Sequence, residues 1–482
     1  MRGHLNFQKA FALFIGALVL PTGAMQAQTV KPPPAGTLRP YVFPPVEQFQ
    51  LANGLKVILV QKHTLPVVEG RLILDAGAMR EPAAKNGLAA LTGSLLSEGT
   101  GDMTGADIAR AMDGLGAQYF TGANSNAVLA DVVALKTVFP QALNLAARTV
   151  MAPSFPVGEV SRVKNQALAA YQQSHARTAG LASDAFVRAA FDSTAPFSRP
   201  ANGIPATLGP LTREDVVNWH RTMYAPSAAT LLLVGDLSPA EARSIAQDAY
   251  GSWTATRTAP GAIENPIRPS SGTRVILVDR PGSVQSSIII GQPGFRATDP
   301  DYLTMVAMNH VLGGGFSSRV NMNLREKHGY TYGAGSSFDL RPGAGALRIS
   351  SDVRTNATDS ALAEALGEYR RIATETVPAE ELQAMVNNLV SGFPSSVQTV
   401  QGLTGRLQNL IIWGLPVDFY TTYREKLAAV TPDDIRRTAG SRLTPDNVIV
   451  VVAGDLSKIE APIRARNFGA VEVWDASGNK IR

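Results

Sequence analysis

The chain has 482 residues, 45% of them hydrophobic and 17% charged, with a formal net charge of +5. That length predicts two or more cores rather than one. The mild charge, without runs of Lys and Arg interleaved with aromatics, gives no indication of a nucleic-acid surface. The lack of cysteine excludes disulfides and an N-terminal Cys lipid anchor.

Arg2 and Lys9 precede the apolar run 11–20, which is followed by Pro21, Gly23, Ala24 and Ala27. This is the layout of a secretory signal peptide over residues 1–27, with cleavage expected near Ala27 and the bacterial periplasm as the expected compartment. The run falls short of the roughly 20 residues a membrane span needs, and no later stretch reaches that length, so no membrane span is expected in the mature chain. Residues 28–45 include VKPPPAGTLRPYVFPP and read as an extended Pro-rich arm.

An Asn53-Gly54 turn then leads into an apolar strand ending at Val60, and residues 70–76 read as a neighbouring strand. Residues 87–96 (GLAALTGSLL) and 107–115 are predicted helices, 126–135 a strand, and 137–151 and 156–175 longer helices. Thr212-x-x-Asp215 marks a helix start, followed by a strand over 229–234 that closes on Gly235-Asp236.

The halves repeat each other. Residues 211–238 (LTREDVVNWHRTMYAPSAATLLLVGDLS) and 430–457 (VTPDDIRRTAGSRLTPDNVIVVVAGDLS) align at an offset of 219, and VILV at 57–60 recurs at 275–278, an offset of 218. Several matches near one spacing imply an internal duplication. We expect domains at 46–253 and 274–482, joined by a Pro, Ser, Thr and Gly-rich linker over 254–273. Each is expected to be α+β, a mainly antiparallel sheet with helices packed on one face, the two facing each other across a cavity.

The stretch 312–333 reads LGGGFSSRVNMNLREKHGYTYG. Gly313, Gly314 and Gly315 end an apolar helical segment, and a second helix carries Arg325 and is expected to end at Gly329. Tyr332 follows at the start of the next strand. The guanidinium fork and the phenol could then address one carbonyl or carboxylate; the competing structural reading pairs Arg325 with Glu326 and packs the Tyr332 ring. The glycines lack the ending of a P-loop and the spacing of a dinucleotide fingerprint.

Taken together, NGLKVILV, GLAALTGSLLSEGT, the Tyr224-Ala225-Pro226 turn and LGGGFSSRVNMNLREKHGYTYG resemble the pitrilysin and mitochondrial processing peptidase family, the inverzincins. In active members the first helix carries H-x-x-E-H, two zinc ligands and a general base. Here Ala90 and Ser94 stand at the histidine positions and Gly93 at the base, and the third ligand would fall near Ala169 or Ala170. None of these is a competent ligand or base.

The five histidines after the signal, His63, His175, His220, His310 and His328, show no i, i+4 pair. We read His310 as a packed core residue and His328 as a polar helix residue. No Ser-His-Asp spacing is recognisable.

The resemblance implies a non-catalytic subunit. Arg325 and Tyr332 match the family's Arg/Tyr pair at its spacing of seven, and would hold a peptide carbonyl beside the scissile bond at the zinc of a homologous partner subunit. No cofactor is then expected in this chain, and zinc is expected in the partner. For Gly313 to Gly315, substrate contact and simple turn formation both stand. The alternative function is a non-enzymatic peptide-binding or scaffold protein on the same fold.

Overall fold

The computed structural model describes residues 40–258 and 260–482. The signal segment and most of the arm lie outside the described residues. The end of the arm lies within them, where Tyr41 and Phe43 enter an aromatic cluster of the second half. Phe43 is 5% exposed, with ring centroids 5.6 Å from Tyr420 and 6.4 Å from Phe393.

Two six-stranded sheets carry the fold. The first contains β1 (Val46–Gln50), β2 (Lys56–Gln61), β3 (Val67–Leu74), β4 (Gln118–Ala123), β5 (Val128–Leu135) and β6 (Ala229–Gly235), in the order β1-β2-β6-β3-β5-β4. The second contains β7 (Arg274–Asp279), β8 (Gln285–Phe295), β9 (Ala334–Asp339), β10 (Gly345–Arg354), β11 (Ile449–Gly454) and β12 (Ala470–Trp474), in the order β12-β7-β11-β8-β10-β9. From the second strand of each order onward the two coincide.

The repeat seen in the sequence is also a repeat of register. Val57 lies opposite Leu231 in the parallel pair β2–β6, and Val275 lies opposite Val450 in the parallel pair β7–β11. The sheets differ at one edge: β1 precedes β2 through the Asn53-Gly54 turn and runs antiparallel, whereas β12 arrives from the other end of the chain and runs parallel. Gly54 takes φ +92°, the left-handed conformation that turn demands.

The central strands are apolar on both sides because both faces of each sheet are covered. Val57 and Leu59 point into a core shared with the Leu88–Leu95, Phe139–Met151 and Arg213–Met223 helices, while Ile58 and Val60 point into the large core of the second half. In β7, Val275 and Leu277 face that large core, and Ile276 and Val278 face a third cluster built on the Thr178–Ala190 helix.

The second faces are covered by exchange. The Thr178–Ala190 helix, encoded in the first half, packs on β8 and β11 of the second sheet. The Val400–Trp413 helix, which holds the same place in the second half's order, packs on β3 and β6 of the first. Arg71 fastens the latter: its guanidinium takes Asp131 bidentately (3.1 and 2.8 Å) and Glu69 (2.8 Å), and reaches Gln408 Oε1 on the helix (3.0 Å). The joining segment 254–273 is also pinned, with Asn265 Nδ2 donating to the Ala344 carbonyl at 2.6 Å. The halves expected from chain order therefore interlock rather than merely face each other.

Candidate functional site

The Leu88–Leu95 helix begins after Gly87, at φ +99°. Its free N-terminal amides are met by Glu81, whose carboxylate accepts from the N–H groups of Gly87 (2.9 Å) and Ala89 and from Asn86 Nδ2 (3.1 Å). Burial pushes the Glu81 carboxyl up to about 7, against these donors and the nearby Arg199.

One side of the helix lies tight on the sheet: a Cβ at Gly93 would sit 2.8 Å from the Ala123 nitrogen and 2.8 Å from the Gly122 carbonyl carbon. The other side presents Ala90 and Ser94 to a cavity of about 490 Å³, and Ala170 of the Val157–His175 helix lines it too. The positions the resemblance assigns to metal ligands thus border one chamber. Two methyl groups and a hydroxyl there do not fit zinc, and among the described residues no group of three His, Asp or Glu could hold a metal ion.

The chamber has polar groups of its own. His175 Nε2 lies 3.0 Å from Asp184 Oδ2, its Nδ1 lies 3.1 Å from the Tyr171 carbonyl, and its ring stacks on Tyr171 at 3.8 Å. A carbonyl only accepts, so Nδ1 is the donor to Tyr171 and Nε2 is the atom that faces the carboxyl. Burial raises the Asp184 carboxyl, with His175 the largest opposing influence. The second half closes the chamber with Asp339, Arg341 and Arg348; Asp339 is gripped by Arg341 and lies 3.3 Å from Arg348. Sequence reasoning missed the His175–Asp184 pair because its members straddle the break between consecutive helices, where no helical spacing betrays them.

Arg325 lies in a π-helical turn, Met322–Lys327, which Gly329 terminates at φ +60°. Its Nε is 3.3 Å from Glu326 Oε1, the pairing weighed from the sequence, and its guanidinium lies over the Phe316 ring at 4.9 Å. Phe316 is 67% exposed. Tyr332 stands in the loop before β9, not within the strand, and is 93% exposed, so its ring is not packed. Its neighbours are fixed: the Thr331 hydroxyl donates to the Asp352 carbonyl (2.6 Å), and the Tyr330 N–H donates to the Leu324 carbonyl (2.9 Å).

Gly333, next to Tyr332, lines a second cavity of about 400 Å³ that shares Ser183 and Arg348 with the first. The glycine run is set by packing. A Cβ at Gly313 would lie 2.3 Å from the Ser336 nitrogen on β9, and one at Gly315 would lie 3.1 Å from the His310 ring. His310 is buried, as expected, with Nε2 3.1 Å from Asn388 Oδ1. His328 stacks on Tyr330 at 4.9 Å.

A duplicated α+β chain whose first-half helix borders a chamber, and whose second half carries an Arg and a Tyr after a glycine turn, fits the two-domain metallopeptidase class, here with no group of three metal-ligating side chains among the described residues. Residues 56–199 match the peptidase M16 (insulinase) model and residues 210–389 the peptidase M16 inactive domain. The chain belongs to the M16 peptidase family, and to its non-catalytic type. It is 25% identical over 415 residues to an uncharacterized zinc protease of Streptomyces coelicolor, covering 82% of this chain and 86% of that one. It is 23% identical over 439 residues to mitochondrial-processing peptidase subunit alpha-2 of Dictyostelium discoideum, covering 86% and 92%. Among solved structures it resembles a peptidase M16 inactive domain from Pseudomonas fluorescens, with a TM-score of 0.80 and 28% identity over 85% of this chain and 98% of that one.

Proposed function

We propose that this chain is the non-catalytic subunit of an exported, heteromeric zinc metallopeptidase. It lends Arg325 and Tyr332 to a peptide held at the zinc of a homologous, zinc-bearing subunit. The observation that carries this reading is the contrast within one stretch: the residues around Tyr332 are hydrogen-bonded and Gly313 is wedged against β9, yet the Tyr332 phenol meets solvent and Arg325 stays on the surface. An exposed phenol on a hydrogen-bonded backbone, with no partner among the described residues, is free to meet a group from outside the chain. Arg and Tyr donors aimed at a substrate carbonyl stabilise the charge that develops there once water is excluded. That Ala90 and Ser94, and Ala169 or Ala170, stand where the family's ligands would be supports a reading in which the metal is carried by the other subunit.

The test is reconstitution. The chain alone is expected to hold no stoichiometric zinc and to cleave no peptide, and mixing it with an H-x-x-E-H homologue is expected to generate cleavage. Arg325→Ala and Tyr332→Phe should each lower kcat of the mixture, by roughly 10²–10³ if the group serves as an oxyanion donor, with zinc content unchanged. Full activity of a mixture lacking both groups, or chelator-sensitive cleavage by this chain alone, would refute the assignment.

A further inference from the structure

Behind the chamber lies a separate cavity of about 430 Å³, whose wall includes Arg188, Arg199, Arg268, Lys480 and Glu472. Arg188 comes from the Thr178–Ala190 helix, Arg199 from the turn after Pro196–Ser198, Arg268 from the segment joining the halves, and Lys480 and Glu472 from the C-terminal end. None of the three guanidiniums makes a side-chain hydrogen bond or ion pair with the described residues, and the Nε atoms of Arg199 and Arg268 are buried without an acceptor.

The acids nearby are all committed elsewhere. Glu81 serves the amides of Gly87 and Ala89, and Asp192 accepts from the backbone and hydroxyl of Thr194. Asp184 holds His175. Glu472 takes Arg274 at 3.0 Å and the Trp474 indole N–H at 3.0 Å, with the Lys480 amine 3.8 Å away. Buried donors that lack acceptors, set beside like charges, cost stability, and natural proteins rarely leave them so. Burial lowers the Arg199 pKa, with the Glu81 carboxyl opposing it without hydrogen-bonding the guanidinium.

We propose that this cavity is a binding site for a small multivalent oxyanion, whose phosphate or carboxylate oxygens supply the acceptors that Arg188, Arg199 and Arg268 lack. Guanidinium forks suit this chemistry because they engage such oxygens in pairs. The volume admits a ligand with several charged groups but not a folded partner. Arg199 also lines the chamber beneath the Leu88–Leu95 helix, so an occupant would touch the wall shared by the two spaces.

Calorimetric titration and thermal melts of the full chain test this, using pyrophosphate and citrate as probes and acetate at matched ionic strength as the control. One or both multivalent anions should bind at one per chain and raise Tm, while acetate does neither. Whichever probe binds assigns the phosphate or the carboxylate chemistry. Arg199→Gln and Arg268→Gln should each weaken binding by about tenfold or more, the worth of a charge-assisted hydrogen bond. Each variant should also melt no lower than the parent without anion, because a buried, unmatched charge has been removed. Two results would overturn the proposal: no heat and no Tm shift up to about 10 mM anion, well past a millimolar Kd, or binding that both substitutions leave intact.

Discussion

Gly93→Ala isolates the packing at the position that the family resemblance assigns to the general base. In a helix interior this exchange ordinarily stabilises by about 1 kcal/mol, because alanine loses less backbone freedom. Here the new Cβ would sit 2.8 Å from two backbone atoms of β4, which cannot swing aside as a side-chain tip can. Overpacking of this kind costs about 1–3 kcal/mol, so a net loss of up to about 2 kcal/mol is expected. Gly392 supplies the control: it lies in the Ala379–Ser396 helix, where an added Cβ would meet nothing within 4 Å, and Gly392→Ala should gain about 0.5–1 kcal/mol. Urea midpoints of the two variants against the parent provide the readout. The same steric argument extends to a combined Ala90→His, Gly93→Glu and Ser94→His chain, which should neither bind stoichiometric zinc nor cleave peptide. A Gly93→Ala midpoint at or above that of the parent would refute the close approach, as would an active triple variant.

Further outcomes follow from buried groups. Glu81 holds its proton up to about pH 7 when folded, against 4.5 as its ordinary value, so between those values the folded chain binds a proton that the unfolded chain lacks. Its contribution is full below about pH 4.5 and is lost as pH rises through 7, about 3 kcal/mol in all. Glu81→Gln should therefore flatten the decline of Tm between about pH 5 and about pH 7.5, and a slope identical to the parent's would contradict this. Phe43→Ala removes a 5% exposed ring from contact with Phe393 and Tyr420 and should cost about 3–4 kcal/mol, seen as a lowered urea midpoint. Arg325→Ala and Tyr332→Phe, by contrast, should leave the melting of the isolated chain within about 0.5 kcal/mol of the parent, since both are surface groups.

The duplication, the Asn53-Gly54 hairpin and most helices were legible because each rests on local chemistry: a turn that needs positive φ, a Thr-x-x-Asp cap, an apolar period. The Thr212 and Thr431 caps form as their spacing indicates, each hydroxyl accepting from the N–H three residues on. The helix that carries Ala90, Gly93 and Ser94 was legible too, from its apolar run after Gly87. The helix exchange was not, because Thr178–Ala190 and Val400–Trp413 have the same apolar content whichever sheet they cover. Arg188, Arg199 and Arg268 likewise come from different elements, and only the folded chain shows that they share one wall.

The crossed helices bear on how the molecule would survive damage. A protease nick anywhere in 254–273 would leave two fragments, each still clasping a sheet that belongs to the other, so the cut protein should elute as a single particle until denatured. Separate expression of the fragments should yield insoluble material, and their co-expression a soluble pair.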